Sequence, residues 1–166
     1  MFNRRHFIAL GALAAVSACS QIRFVPLPPG TSLIMVRHGD RDGVNLSDKG
    51  RARAAALVDA LDGVAIDAIY SPETRRNIDT ATPLANARGL TIQQTKAVTA
   101  AEELLAALET EAGKTIVWVG NQDNLAAIWA SLALEGPPPI EYGNLFTVSA
   151  TETGQRQIRR QQFGPD

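Results

Sequence analysis

From Thr31 onward, short apolar runs of strand length alternate with stretches of helical period, and this alternation leaves the chain few folds to choose from. "SLIMVRH", Ser32 to His38, is a continuous apolar run closed by polar residues, as a strand covered on both faces requires. "SDKGRARAAALVDAL" puts Ala54, Leu57, Val58 and Leu61 on one helical face, with Ser47 as its cap. "AIDAIYS" reads as a second strand. "ETRRNIDTATPLANARG" reads as a helix with Ile78, Ala81 or Thr82, and Ala85 inward, bent at Pro83 and ended by Gly89. "LTIQQT" follows as a strand, "AAEELLAALETEAGK" as a helix, "TIVWVG" as the central strand and "NLAAIWASLAL" as a helix. After "EGPPPIEYG", the runs "NLFTVSA" and "RQIRRQQF" are predicted to pair as a hairpin through "TETG". The pattern predicts an α/β sandwich with a mostly parallel sheet. In such sheets ligands bind beyond the carboxyl ends of the strands. The residues to inspect are therefore Arg37-His38-Gly39, Ser71 to Arg76, and Asn121 to Asn124.

The first thirty residues do not join this pattern. "MFNRRHFIALGALAAVSAC" has a basic start, an apolar stretch from Phe7 to Ala18, and small residues before Cys19. That is the pattern of an export signal, too short to span a bilayer as a mature helix. Arg4-Arg5-His6-Phe7 resembles a twin-arginine signal, although the basic start of a general export signal reads the same way. "VSAC", Val16 to Cys19, resembles the bacterial lipobox, whose cysteine is lipidated and becomes the first mature residue; cleavage after Ala18 alone is the competing reading. Residues 1–18 are read as signal, 19–30 as a lipidated start and stiff Pro-rich spacer, and 31–166 as the domain. The expected location is the bacterial envelope, with the domain periplasmic and Ser20 permitting outer-membrane sorting.

Loss of residues 1–18 leaves 14 Lys and Arg against 17 Asp and Glu, a weak acidic balance with no basic stripe for nucleic acid. Cys19 is the sole cysteine, so neither a disulfide nor a cysteine metal site is available.

"LIMVRHGD" places arginine, histidine and glycine at a strand end, which alone is a weak signal. Three further stretches follow in order: "NLSDKGRARAAAL", "IYSPETRRNIDTA" with an arginine four residues before Thr-Ala, and "TIVWVGNQDN". Together they resemble the histidine phosphatase superfamily, also called phosphoglycerate mutase-like, over Leu33 to Gly164. The resemblance implies a three-layer α/β/α fold with a phosphate pocket above the sheet. The residue types agree with that chemistry. His38 is a nucleophile able to form a phosphohistidine, splitting one displacement into two. Arg37 and Arg76 are cations with fork geometry for phosphate oxygens. Arg76, not Arg75, matches the family's spacing. Gly39 lets the backbone turn closely under the anion, and Arg41 is a further candidate substrate contact. No cofactor and no metal are expected.

The chain departs from the family at one position. The strand matching "TIVWVG" ordinarily ends in Gly-His, and the second histidine donates to the phosphoryl oxygens; here Asn121 stands there. No other histidine substitutes, since the chain has only His6 and His38. For the general acid, Asp123 is the better placed guess, with Asp40, Glu102 and Glu103 behind it. The expected activity is phosphomonoester hydrolysis, on a phosphorylated small molecule or phosphoprotein, slowed by Asn121. A non-catalytic phospho-ligand binding module is the alternative. Mutase activity is disfavoured by short connections, which leave little to cover a phosphorylated intermediate.

Overall fold

The computed structural model describes residues 24–166; the expectations for the signal sequence and Cys19 lie outside the described residues. Strands β1 (Ser32–Arg37), β4 (Ala68–Pro72), β5 (Ile92–Thr95), β6 (Thr115–Gly120), β7 (Asn144–Ala150) and β8 (Arg156–Gln162) form one sheet in the order β5-β4-β6-β1-β7-β8. The β1, β4, β5 and β6 pairings are parallel, and β7 runs antiparallel to β1 and to β8. The last two strands are the expected hairpin. A small hairpin not foreseen from the sequence, β2 (Arg41–Asp42) with β3 (Asn45–Leu46), follows β1.

Helices α1 (Asp48–Ala60) and α2 (Arg75–Arg88) pack together on one face of the sheet, and α3 (Ala100–Leu108) and α4 (Gln122–Ser131) on the other. Alternate residues of β1 serve the two layers: Leu33 and Met35 meet Leu104, Leu108, Leu125 and Ile128, while Ile34 and Val36 meet Leu57, Leu61 and Leu84. This two-sided burial is why "LIMV" reads as an unbroken apolar run rather than an alternating one. The architecture is the predicted α/β/α sandwich.

Helix starts and stops follow local chemistry. The Ser47 side chain accepts from the Gly50 N–H at the start of α1, as expected. Gly89 ends α2 at φ 64, the left-handed conformation a helix C-terminus favours. The inward face of α2 differs from the reading above: Asn77, Thr80, Ala81, Leu84 and Ala85 are buried and Ile78 only partly. The polar pair is buried because it bonds to strand ends, described below. The fourth helix begins two residues earlier than expected, so Asn121 is its N-cap and Gln122-Asp123 its first turn. The Pro-rich segment also differs from a free spacer. Val25 N–H donates to Ser131 O at 2.8 Å, Leu27 is buried, and Gly30 N–H donates to Ala150 O at 2.9 Å. Its prolines leave few donors to satisfy, and Leu27 supplies an apolar anchor.

Candidate active site

His38 follows β1 directly, with its N–H donating to Gly120 O at 2.9 Å, so the ends of β1 and β6 are tied together. The imidazole is 3% exposed. Nδ1 lies 2.8 Å from Gly39 O, and Arg76 Nε lies 3.0 Å from Nε2. A carbonyl can only accept and a guanidinium N–H can only donate, so the partners fix the tautomer. Nδ1 carries the proton, and Nε2 holds its lone pair toward Arg76. Burial, then the charges of Arg76, Arg37 and Arg41, outweigh the Gly39 bond and lower the His38 pKa to about 4. The ring is neutral at pH 7, as a nucleophile must be.

Both arginines have partners that set their direction. Arg76 sits in the first turn of α2. Arg37 donates through a terminal nitrogen to Ile140 O at 2.9 Å and stacks its guanidinium 4.0 Å from the Tyr142 ring centroid. Its Nε is buried with no partner among the described residues. Tyr142 also meets His38 edge-on, with centroids 5.9 Å apart.

The loop after His38 is held from three sides. Gly39 N–H donates to Thr80 Oγ1 at 2.9 Å, and Thr80 donates in turn to Arg76 O at 2.7 Å. A Cβ at Gly39 would meet Gly50 O at 2.6 Å, and one at Gly50 would meet Asp40 O at 2.0 Å. The close approach at Gly39 is therefore to α1, and its N–H is already engaged by Thr80 rather than free for an anion. Asp40 accepts from Arg53 Nε at 2.7 Å, and Arg53, 4% exposed, also donates to Phe163 O and Pro165 O at 2.7 Å each. Burial would raise the Asp40 pKa, but the Arg53 hydrogen bond and charge, with Lys49, hold it below the usual carboxylate value. Asp40 is a structural anion here and no proton donor.

The other candidates separate by position. Asn121 caps α4 in extended conformation, its N–H bonded to Asn124 Oδ1 at 2.9 Å. Its own Oδ1 is buried with no partner among the described residues. Beside it a cavity of about 380 Å³ is lined by Asn121, Asp123, Glu102, Val98 and Leu105 among others, so both remaining acid candidates face one space with the Asn121 strand end. Glu103 turns away, accepting from Thr99 Oγ1 at 2.5 Å and Lys96 N–H at 3.2 Å; the Thr99 bond lowers its pKa. Arg41 is exposed on the β2 hairpin, bonded among the described residues only within its loop to Gly43 O at 3.5 Å, and acts on His38 through charge.

Tyr142, Asn77 and Arg53 were not singled out from the sequence, and Thr80 was read only as part of the stretch that picks out Arg76. Arg53 had a signal: it sits on the same helical stripe as Gly50, Ala54 and Leu57, where a charge needs buried partners. Asn77 donates to Val119 O at 3.2 Å and anchors α2 beneath Arg76.

The fold and these residues define an α/β domain with a buried neutral histidine and two arginines at the carboxyl end of a parallel sheet. The sequence profile of the histidine phosphatase superfamily (branch 1) matches residues 33–102. Among solved structures, the chain is similar to mycobacterial glucosyl-3-phosphoglycerate phosphatase with inorganic phosphate, at 19% identity and TM-score 0.60, covering 81% of this chain and 97% of that one. It is also similar to the protein histidine phosphatase SixA with tungstate, at 18% identity and TM-score 0.61, covering 81% and 97%. A third is Bacillus stearothermophilus YhfR, at 17% and TM-score 0.64, covering 79% and 96%. No curated protein sequence matches the chain. The profile match covers residues 33–102, and the fold of the whole domain is the one these solved structures share.

Proposed function

We propose that the domain is a phosphomonoester hydrolase acting through a phosphohistidine on His38. The observation that carries this reading is the doubly bonded imidazole, which is neutral, in one tautomer, and presents Nε2 beside the Arg76 guanidinium. Arg76 exchanges its bond to Nε2 for one to a phosphoryl oxygen as substrate arrives, freeing the lone pair to attack phosphorus. Arg37, stacked on Tyr142 with Nε unpaired, takes a second oxygen. The leaving oxygen departs with a proton from a carboxylic acid, for which Glu102 and Asp123 are the candidates on the adjacent cavity. Water then attacks the phosphohistidine, releasing phosphate and restoring His38. Phosphoryl transfer depends chiefly on positioning and charge neutralisation, both available here. Several structural neighbours are phosphatases of small phosphorylated molecules by name, which favours that substrate class.

Asn121 supports a second reading, a phospho-ligand binding module, because it brings no charge where the family places a donor histidine. Phosphate release from a panel of phosphomonoesters, with His38→Ala as blank, separates the two. Turnover above the blank supports the enzyme. Binding with no turnover supports the module.

The lipobox at Cys19 supports lipid anchoring in the bacterial envelope, with the domain in the periplasm. Labelled palmitate should enter the wild type and not Cys19→Ala; an unlabelled wild type in a host that processes lipoproteins would refute the anchor.

A further inference from the structure

Arg37 is held by a loop far from it in sequence. One terminal nitrogen donates to Ile140 O at 2.9 Å, and the guanidinium carbon lies 4.0 Å from the Tyr142 ring centroid. Two residues of one loop therefore fix the guanidinium, one by its edge and the other by its face.

The loop has supports of its own. Pro137, Pro138 and Pro139 restrict the backbone on its approach. Ile140 N–H donates to Pro138 O at 2.9 Å, and Glu141 N–H donates to Oδ1 of buried Asn144 at 3.0 Å. Just past the ring, Gly143 adopts φ 84, and a Cβ there would meet a terminal nitrogen of Arg53 at 2.7 Å. Phe163 N–H donates to Gly143 O at 2.9 Å. The Arg53 side chain that clasps Asp40 beside His38 therefore packs against the Tyr142 turn as well. His38 takes its direction from Gly39 and Arg76, and it meets the ring only edge-on, with centroids 5.9 Å apart.

We propose that Tyr142 is a positioning residue for phosphoryl transfer: its ring and the Ile140 carbonyl hold the Arg37 guanidinium in one plane before substrate arrives. The proposal rests on the phosphatase reading. A free arginine side chain has many rotamers, which must be given up when an anion binds. A guanidinium set in advance gives up little, and its planar fork meets phosphoryl oxygens in one orientation. The gain is largest where those oxygens carry most charge, during the transfer itself. The ring attracts the cation through its face and so consumes no N–H donor.

The test compares Tyr142→Leu and Tyr142→Phe with the wild type, in the full chain, on p-nitrophenyl phosphate. Tyr142→Leu should lower kcat/KM by about ten- to thirtyfold, the worth of a desolvated cation–ring contact expressed as a rate. Most of that loss should fall in kcat. Tyr142→Phe keeps the ring and should recover all but about twofold of it. Vanadate, which mimics the transferring group, should bind Tyr142→Leu more weakly by a similar factor. In an Arg37→Ala chain, adding Tyr142→Leu should change kcat/KM by less than about twofold, since no guanidinium remains to be set. Wild-type kinetics or vanadate affinity in Tyr142→Leu overturns the proposal. So does Tyr142→Phe no better than Tyr142→Leu, or the full further loss on top of Arg37→Ala. Failure of the phosphatase reading looks different: no chain turns over, while calorimetry still shows vanadate bound more weakly by Tyr142→Leu than by the wild type.

Discussion

Two neighbouring strands end side by side, and the residues just beyond them are held in opposite ways. At the end of β1, both ring nitrogens of His38 are bonded, and the next peptide is fixed by Thr80, Gly50 and the Arg53–Asp40 pair. At the end of β6, Asn121 has its N–H satisfied by Asn124, but its side-chain oxygen is buried without a partner among the described residues. The first end is over-determined and the second under-determined. A nucleophile needs one tautomer and one direction, which several independent contacts secure. A supporting donor needs only to reach, so its position tolerates exchange of side chain at a cost in rate.

The largest effect tests the over-determined end. His38→Ala should lower turnover on a phosphomonoester by about a thousandfold or more, as loss of a nucleophile does, while calorimetry still detects phosphate. The pH profile sharpens the point. With the His38 pKa near 4, the acid limb of kcat/KM should fall near pH 4, not near the ordinary histidine value of 6.5. Stability carries the same sign: between about pH 6.5 and 4 the unfolded chain takes up a proton that folded His38 refuses. The wild type therefore loses stability as pH falls through that window, and His38→Ala should lose less.

Arg76→Ala comes next, because it removes the partner of Nε2 and, on the proposed reading, a phosphate donor. A fall of about a hundred- to a thousandfold in kcat is expected. Arg75→Ala is the control: its side chain is 77% exposed and pairs with Asp79 on the surface of the helix. Equal effects from the two arginines would remove Arg76 from the site.

A structural blow to the same strand end should be felt in stability first. Arg53→Met keeps much of the apolar stem but leaves Asp40 and two backbone carbonyls without their donor. Breaking such a buried pair costs about 3 kcal/mol, or a drop in Tm of about 10 °C for a domain of this size. Asp40→Asn should cost less, since Arg53 retains its two carbonyls. If thermal unfolding of Arg53→Met matches wild type, the clasp does not hold the loop.

This division also explains what the sequence could convey. Apolar runs of β1 and β6 reported the sheet, because burial on both faces leaves no polar residue inside them. The Arg-His-Gly and Arg-x-x-x-Thr-Ala stretches reported the centre, since each carries residues whose chemistry is legible one at a time. Tyr142 was not legible, because its role depends on long-range placement: its ring reaches Arg37 only after the loop from α4 returns to the site. The start of α4 was misjudged because a polar cluster after a strand looks like a loop, whereas Asn121 and Asn124 are a helix start. Gly39 was read through the bound anion, while the close neighbour is the backbone of α1. The inward face of α2 was assigned by apolarity, and the fold instead buries Asn77 and Thr80 to bond strand ends.

The smallest effect is a gain, and it tests the under-determined end. Asn121→His supplies a donor to the transferring phosphoryl group. One such donor is worth about a hundred- to a thousandfold, so restoring it against a neutral amide should raise turnover by up to about a hundredfold. Much of the gain should appear in kcat, because the donor acts most when charge builds on the transferring group. The fold should bear the change. The bond that Asn124 Oδ1 accepts at the start of α4 comes from the backbone N–H of residue 121, which any residue keeps. The added imidazole should also bring a pH dependence near neutrality that the wild type lacks. In a binding module the same variant would change ligand affinity and leave turnover at the His38→Ala level. A wild type already as fast as an ordinary phosphatase, and slowed by Asn121→His, would sink the comparison itself. The amide would then be the working group, and the two strand ends equally committed to catalysis.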